Sequence, residues 1–156
     1  MDNKERIDFL INRSYALVQK RPRTEREIRD YLLRKKENSL VIEAVIEALK
    51  SKKLIDDNHF IKWWVEQRSY FKPRGIRALK AELRQRGINK ELLDSYFEDE
   101  NINELELAKN ELKRVRRRFD ALSPQDKYRK SVQYLLRRGF PFALARKAFE
   151  DLYQIE

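Results

Sequence analysis

Residues 75–88 read Gly75-Ile76-Arg77-Ala78-Leu79-Lys80-Ala81-Glu82-Leu83-Arg84-Gln85-Arg86-Gly87-Ile88, an amphipathic helical pattern that closes on a glycine. Ile76, Leu79 and Leu83 recur at the spacing of one helix face, and Pro73 stands just before them. Glycine is favoured after the last turn of a helix because it adopts left-handed backbone angles without strain. The stretch therefore predicts a short helix with one buried stripe and a defined end.

The same unit occurs three times along the chain. A proline stands before this helical pattern in each copy, and Pro22, Pro73 and Pro124 are spaced 51 residues apart. An equivalent leucine follows in each copy, at Leu32, Leu83 and Leu135. Glycine ends this helical pattern in the second and third copies, whereas Lys36 stands at the equivalent position of the first copy. The helix of the first copy must therefore end differently or at a greater energetic cost. Helical periodicity alone would not align prolines and helix ends as well, so a tandem repeat is predicted.

Each copy is predicted to contain three helices. The first helices cover about 4–20, 57–71 and 104–119, the second about 24–36, 75–86 and 125–138, and the third about 39–52, 89–98 and 141–153. The predicted fold class is therefore all-α, with three-helix repeats at residues 1–53, 54–102 and 103–156. Because a unit of three short helices has a small core, its neighbours should stack on it and form an elongated, curved array of either hand.

Several polar residues stand where helices are predicted to begin. Thr24 and Glu27 fit a capping box, in which hydroxyl and carboxylate satisfy free N–H groups of the first turn. Ser39 and Asn89 are predicted N-caps of the third helices. The cluster Asp56-Asp57-Asn58-His59 is interpreted as a turn and helix cap rather than a metal site, since consecutive residues on a helix point in different directions.

The composition argues against an enzyme. The chain has no cysteine and one histidine, His59, so thiol chemistry, thiolate metal sites and multi-histidine sites are excluded. No glycine-rich phosphate loop occurs, and we predict no catalytic residues, no cofactor and no bound metal. The start lacks an apolar signal segment, and no stretch approaches 18 apolar residues. A soluble, intracellular protein without a membrane contact is expected.

The chain is strongly basic, with 36 Lys and Arg against 26 Asp and Glu and a formal charge of +10. Residues 68–90 hold eight basic residues and a single acid, Glu82. Arg77, Lys80 and Arg84 share one side of the predicted helix, beside its buried stripe. A second basic concentration begins at residue 113, and residues 91–106 between the two contain seven acids and no base.

These basic patches have two interpretations, and the residues alone do not decide between them. They are either solvated surface or sites that neutralise phosphates or meet an acidic protein face. On the second reading the candidate contact residues are Arg74, Arg77, Lys80, Arg84, Lys113, Arg114, Arg116, Arg117, Arg118, Lys130, Arg137 and Arg138. Tyr70 and Phe71 could stack on bases beside Lys72 and Arg74, although packing at the end of a helix is the favoured interpretation.

Several motifs resemble those of the RecX family, over nearly the whole chain. Leu54-Ile55-Asp56-Asp57-Asn58-His59-Phe60, followed by Trp64-Val65 and Arg68, resembles its L-x-D-D-x-x-F-A-x-x-W-V-x-x-R signature. Residues 75–88 are similar to its R-x-L-x-x-E-L-x-x-K-G-I stretch, and Leu135 to Phe140 to its L-x-R-R-G-F ending. Residues 23–32 resemble its first motif, while Lys36 and Ile61 depart from the usual glycine and alanine.

The resemblance implies a function that composition does not. RecX proteins fold as tandem three-helix repeats and bind the RecA–DNA filament, usually inhibiting the recombinase, ATPase and coprotease activities of RecA in DNA repair and recombination. The family implies a cytoplasmic protein with no cofactor, and we expect a monomer for which the DNA phosphate backbone is a further candidate contact. The alternative is a helical nucleic-acid-binding module that acts without RecA, and a scaffold for an unrelated acidic protein is a third possibility.

Overall fold

Every regular element of the computed structural model, which describes residues 1–154, is helical. The described chain forms nine α-helices, a 3₁₀ turn at Arg116–Arg118 and no strand. The α-helices are α1 (Asn3–Lys20), α2 (Glu25–Arg34), α3 (Ser39–Ser51), α4 (Asp57–Tyr70), α5 (Ile76–Gln85), α6 (Lys90–Asp99), α7 (Glu104–Val115), α8 (Pro124–Arg137) and α9 (Phe142–Leu152). The predicted all-α class and its sequence of three-helix repeats are confirmed.

The chain divides into two compact units, and the middle three helices contribute to both. The N-terminal unit comprises Met1–Trp63 and Leu83–Leu93, and the C-terminal unit comprises Trp64–Glu82 and the described residues from Asp94 onward. The N-terminal unit buries aliphatic side chains of α1, α2 and α3, including Leu10, Leu32 and Leu49. The C-terminal unit buries residues of α7, α8 and α9, including Leu112, Leu135 and Phe149.

Helix starts follow the predicted caps with one exception. Thr24 accepts from the Glu27 backbone N–H at 3.1 Å, and the Glu27 carboxylate accepts from the Thr24 N–H at 3.3 Å, which confirms the capping box. Asn89 accepts from the Leu92 N–H at 2.7 Å. The prediction for Ser39 is wrong, because the preceding Asn38 has the extended cap backbone and accepts from the Val41 N–H at 2.9 Å.

Helix ends explain why glycine recurs in the sequence. Gly87 and Gly139 have φ angles of 93° and 91°, in the left-handed region that glycine adopts without strain. Lys36 has a φ angle of 61° at the equivalent position. The first repeat therefore ends its second helix in the same left-handed way, and the lysine Cβ adds a strain of about 1 kcal/mol.

In the N-terminal unit, the start of α2 meets the end of α5. The buried Thr24 hydroxyl donates to the Arg86 carbonyl at 2.7 Å, so it satisfies an acceptor that the end of α5 leaves free. The Glu25 N–H donates to the Asp57 carboxylate at 3.0 Å, so an acid of α4 caps α2. We call these contacts the N-terminal junction.

In the C-terminal unit, the same arrangement joins the start of α5 to the end of α8. The Gly75 N–H donates to the Arg138 carbonyl at 2.9 Å, and the Ile76 N–H donates to the Glu104 carboxylate of α7 at 2.7 Å. Thr24 and Gly75 each stand two residues after a repeat proline, and Arg86 and Arg138 each precede the helix-ending residue. We call these contacts the C-terminal junction.

The junctions are closely packed at their glycines. A Cβ atom on Gly75 would lie 2.3 Å from the Gly139 carbonyl oxygen, and one on Gly87 would lie 2.2 Å from Cδ of Arg26. Gly75 therefore permits a backbone-to-backbone approach that a side chain would prevent. Gly87 and Gly139, which end the second helices of their repeats, thus serve both the helix end and the contact with the preceding repeat.

The core of the C-terminal unit contains a fully buried acid, Glu111 on α7. Its carboxylate accepts from the Tyr134 hydroxyl at 2.5 Å and pairs with Arg114 at 2.7 Å. Burial opposes ionisation, yet the hydrogen bonds from Arg114 and Tyr134 outweigh it and lower the pKa of Glu111 below its usual value. The ionised carboxylate therefore ties α7 to α8.

We predict that Thr24→Val destabilises the protein by about 2 kcal/mol, because it removes a helix cap and a buried hydrogen bond without changing side-chain volume much. Thr24→Ser keeps the hydroxyl and should lose only about 0.8 kcal/mol, the value of one buried methyl group. Urea unfolding followed by circular dichroism measures both losses. Equal losses for the two variants would show that the hydroxyl contributes nothing.

Glu111→Gln should lower the free energy of unfolding by about 2 kcal/mol at neutral pH, because charge-assisted hydrogen bonds are lost in a buried site. The folded-state pKa of Glu111 lies below its unfolded value, so its contribution is present above about pH 4.5 and is lost as the pH falls through the folded pKa. The difference between wild type and variant should shrink over that acidic range. A difference that stays constant with pH would contradict the ionised state of Glu111.

Candidate functional site

The first group of candidate residues lies on α5 and in the segment before it. Arg77 and Arg84 are exposed, and the buried stripe beside them contains Leu79 and Leu83, as predicted. Lys80 is half-buried and pairs with Asp94 at 3.2 Å. The helix therefore carries the predicted basic residues, but the charge of Lys80 is largely balanced by Asp94.

Arg74 precedes α5 and is half-buried. Its Nη1 atom is buried and has no hydrogen-bond acceptor among residues 1–154. Burial and the nearby charges of Arg138 and Arg68 lower the pKa of Arg74. Because guanidinium stays charged at any ordinary pH, this side chain is a cation held in an unfavourable setting.

The second group lies at the end of α7, in the 3₁₀ turn and on α8. Exposed members are Lys113, Arg114, Arg117, Arg118, Lys130 and Arg137, and half-buried members are Arg116 and Arg138. Arg114 pairs with Glu111, and Arg116 lies 3.8 Å from Asp120. Of the twelve candidates, nine form no ion pair within the described chain: Arg74, Arg77, Arg84, Lys113, Arg117, Arg118, Lys130, Arg137 and Arg138.

Tyr134 brings three of these arginines together. The guanidinium of Arg138 lies 4.8 Å from its ring centroid, that of Arg118 lies 5.9 Å away, and Arg114 donates to the hydroxyl at 3.2 Å. Contact with an aromatic face favours a cation, so the ring holds the arginines near one another despite their repulsion. The structure thus collects residues from α7, the 3₁₀ turn and α8 into one basic cluster in the C-terminal unit.

Sequence reasoning did not identify Glu111 or Tyr134 as parts of this cluster. The signal for Glu111 was its position between Ala108 and Val115 on the apolar stripe of α7, where an acid must find partners. The position of Tyr134 follows from no local pattern, since its hydroxyl partner lies 23 residues away in the chain.

The exposed aromatics at the end of α4 differ from the favoured expectation. Tyr70 and Phe71 were expected to pack at the end of a helix, yet their exposed fractions are 82% and 69%. Lys72 follows them directly, and Arg74 lies two residues beyond Lys72. Packing ends at Val65, which is buried one turn earlier, so the last turn of α4 extends beyond the core.

The guanidiniums without an ion pair make this surface a candidate for anion binding. Unpaired guanidiniums bind phosphates and carboxylates through parallel N–H donors. Within residues 1–154, no three His, Cys, Asp or Glu side chains gather in a way that could hold a metal ion. In that same part of the chain, no helix is both long and apolar enough to cross a membrane.

Three family models match the chain, one for each repeat. Residues 11–49 match "RecX, first three-helix domain", residues 56–95 match "RecX, second three-helix domain", and residues 103–149 match "RecX, third three-helix domain". The matched segments follow the order of the family and together cover most of the chain.

Curated relatives bear the same family name. The "Regulatory protein RecX" of Streptococcus mutans is 31% identical over 132 residues, which are 83% of this chain and 50% of the relative. That of Thermobifida fusca is 31% identical over 143 residues, covering 90% of this chain and 76% of the relative. The chain thus spans about half the length of the Streptococcus mutans protein.

A solved structure shares the fold. The crystal structure of RecX from Lactobacillus salivarius superposes with a TM-score of 0.84 at 20% identity and covers 97% of this chain and 99% of that chain. The matched repeats and the relatives at 31% identity agree with this likeness. The chain therefore belongs to the RecX family.

Proposed function

We propose that this protein binds the RecA–DNA filament and modulates, usually inhibits, the recombinase, ATPase and coprotease activities of RecA. The observation that carries the proposal is the match of all three repeats to RecX domains, in order and over most of the chain. The partner is inferred from the family, and the action is that of a binding protein rather than an enzyme.

The charge of the described residues supports a partner with acidic surface. Nine candidate cations lack an ion pair within residues 1–154, and most of them are exposed. Such charges accelerate encounter with a polyanionic assembly and make its binding sensitive to salt. A RecA–DNA filament offers both protein carboxylates and DNA phosphates.

A purely non-covalent mechanism suffices for this function. A protein that binds one state of a filament more tightly than another shifts the assembly equilibrium by the difference in the two affinities. We propose that the protein acts in this way, as a cytoplasmic monomer without a cofactor. We propose that the three sequence repeats of the binding protein lie at 1–53, 54–102 and 103–156.

The experiment that tests the proposal is the ATPase rate of RecA on single-stranded DNA, with and without this protein. A progressive fall in the rate with added protein is expected. A DNA-only binding control separates this function from a nucleic-acid-binding module that acts alone. An unchanged ATPase rate, together with salt-sensitive DNA binding, would favour that alternative.

Charge reversal on α5 should weaken the inhibition of RecA. Arg77→Glu combined with Arg84→Glu removes two exposed cations that form no ion pair in the described chain, so about tenfold more protein should be needed for half-inhibition. Lys80 is left unchanged because it pairs with Asp94.

The matched control is Arg146→Glu with Lys147→Glu on α9, which changes the same total charge at exposed residues outside the candidate set. This control should inhibit RecA nearly as well as the wild type. Equal inhibition by the α5 variant and the control would remove α5 from the proposed surface.

A further inference from the structure

A cavity of about 320 Å³ lies in the C-terminal unit, between the start of α8 and the end of α9. The aromatic rings of Tyr128, Phe149 and Tyr153 line it, and we call it the α8–α9 cavity. The ring centroid of Phe149 lies 5.2 Å from that of Tyr128 and 4.6 Å from that of Tyr153. A cavity of this volume is at the lower end of the range for ligand pockets, so it accommodates one bulky apolar group.

The α8–α9 cavity carries one positive charge that no acid of the described chain balances. Its charged lining residues are Lys127 and Glu150. Glu150 pairs with Arg146 at 2.8 Å. Lys127 forms no ion pair within residues 1–154, and its amine lies 5.4 Å from the ring centroid of Tyr153. The cavity thus combines apolar rings with an ammonium group, which suits a ligand that has an apolar part beside an anionic part.

The first repeat has an equivalent surface, which shows what such a surface contacts. The separation of 103 residues between the equivalent leucines of the first and third repeats also relates Glu25 to Tyr128 and Lys50 to Tyr153. Glu25 and Lys50 form an ion pair at 2.5 Å. Two tyrosines therefore stand in the third repeat where the first has opposite charges, so this surface is more apolar in the third repeat.

In the first repeat the chain itself covers this surface. Ile55 is buried in the core of the N-terminal unit, and Asp57 accepts from the Glu25 N–H at 3.0 Å. The two residues belong to one short segment, so an apolar side chain stands two residues before a carboxylate. That pattern is the one which the equivalent surface accommodates.

The third repeat offers a carboxylate a different donor. Glu25 is the first residue of α2, so the helix leaves its N–H free for an outside acceptor. Tyr128 lies in the second turn of α8, which begins at Pro124, so its N–H is used within the helix. The additional turn of α8 also brings Lys127 to the cavity, where its ammonium group replaces the backbone donor.

We propose that the α8–α9 cavity binds a peptide segment of a partner protein in which a bulky apolar side chain stands two residues before a carboxylate. The apolar side chain packs against the rings of Tyr128 and Phe149, and the carboxylate pairs with Lys127. This inference goes beyond the proposed function, because none of the residues that line the cavity is among the candidate contacts with RecA or DNA.

The probe is a synthetic peptide with the sequence of residues 53–60, which contains the pattern as it occurs in this chain. Titration of the isotope-labelled protein, followed by its amide NMR signals, locates the binding site and measures the affinity. We expect a dissociation constant of about 1 mM, which is typical of one apolar anchor with one ion pair. The signals that shift should be those of residues at the start of α8 and the end of α9.

Two altered peptides test the two parts of the pattern. The peptide with Ile55→Ala should bind about tenfold more weakly, because most of the apolar anchor is lost. The peptide with Asp57→Asn should bind about threefold more weakly, because the ion pair at an open site contributes little.

Variants of the protein assign each part of the peptide to its contact. Lys127→Gln should weaken binding of the unaltered peptide about threefold and leave the affinity for the Asp57→Asn peptide unchanged, because that peptide has no ion pair to lose. Tyr128→Ala removes one aromatic wall of the cavity and should weaken binding of the unaltered peptide about fivefold.

The matched control is Lys62→Gln on α4, an exposed lysine that forms no ion pair among residues 1–154 and does not line the cavity. This control should bind the peptide as the wild type does. Melting followed by circular dichroism checks that each variant is folded.

Equal affinities for the three peptides, shifted signals outside α8 and α9, or identical behaviour of Lys127→Gln and Lys62→Gln would overturn the proposed site. Self-association of the protein that Tyr128→Ala abolishes would identify a second copy of the chain as the occupant, and it would overturn the proposed partner as well. Because this assay contains no RecA, its failure leaves the proposed regulation of RecA standing, and the reverse also holds.

Discussion

Both units depend on one kind of hydrogen bond. It joins the start of the second helix of one repeat to the carbonyl just after the second helix of the next repeat. Thr24 supplies a hydroxyl for it and Gly75 a backbone N–H, and each reaches the carbonyl of an arginine just before a left-handed residue. An acid from the first helix of the following repeat caps the same helix start. A carbonyl at one helix end thus accepts from a donor at the start of another helix, so the repeats are joined through a backbone group that an isolated helix would leave to solvent.

This constraint also arranges the charges. Since each junction uses the backbone of an arginine and lies next to another arginine, it brings two guanidiniums together wherever it forms. In the N-terminal unit Glu27 pairs with Arg86 and with Arg21, whereas Ala78 stands at the equivalent position of the C-terminal unit. The same backbone contact therefore has an acid beside one of its arginines in the N-terminal unit and none at that position in the C-terminal unit. The buried Glu111 and the ring of Tyr134 keep the remaining arginines of the basic cluster in place.

The sequence predicted those features that depend on neighbours within a few residues. The capping box of Thr24, the cap at Asn89 and the left-handed ends at Gly87 and Gly139 were all identified from local patterns. Ser39 was misassigned because the asparagine before it reaches the same N–H groups. The contacts that join repeats were beyond local patterns, since the partner of Thr24 lies 62 residues away. Of the candidate site, the sequence identified the basic residues but not which of them are paired, because pairing depends on long-range contacts such as that of Lys80 with Asp94.

The central functional claim is that the protein recognises the assembled filament. The most direct measurement compares its affinity for a RecA–DNA filament, for RecA alone and for the same single-stranded DNA alone, at one salt concentration. We expect the filament to bind most tightly, since only it presents RecA and DNA phosphates together. Equal affinity for the bare DNA and for the filament would rule out recognition of the filament and identify a nucleic-acid-binding module that does not recognise RecA.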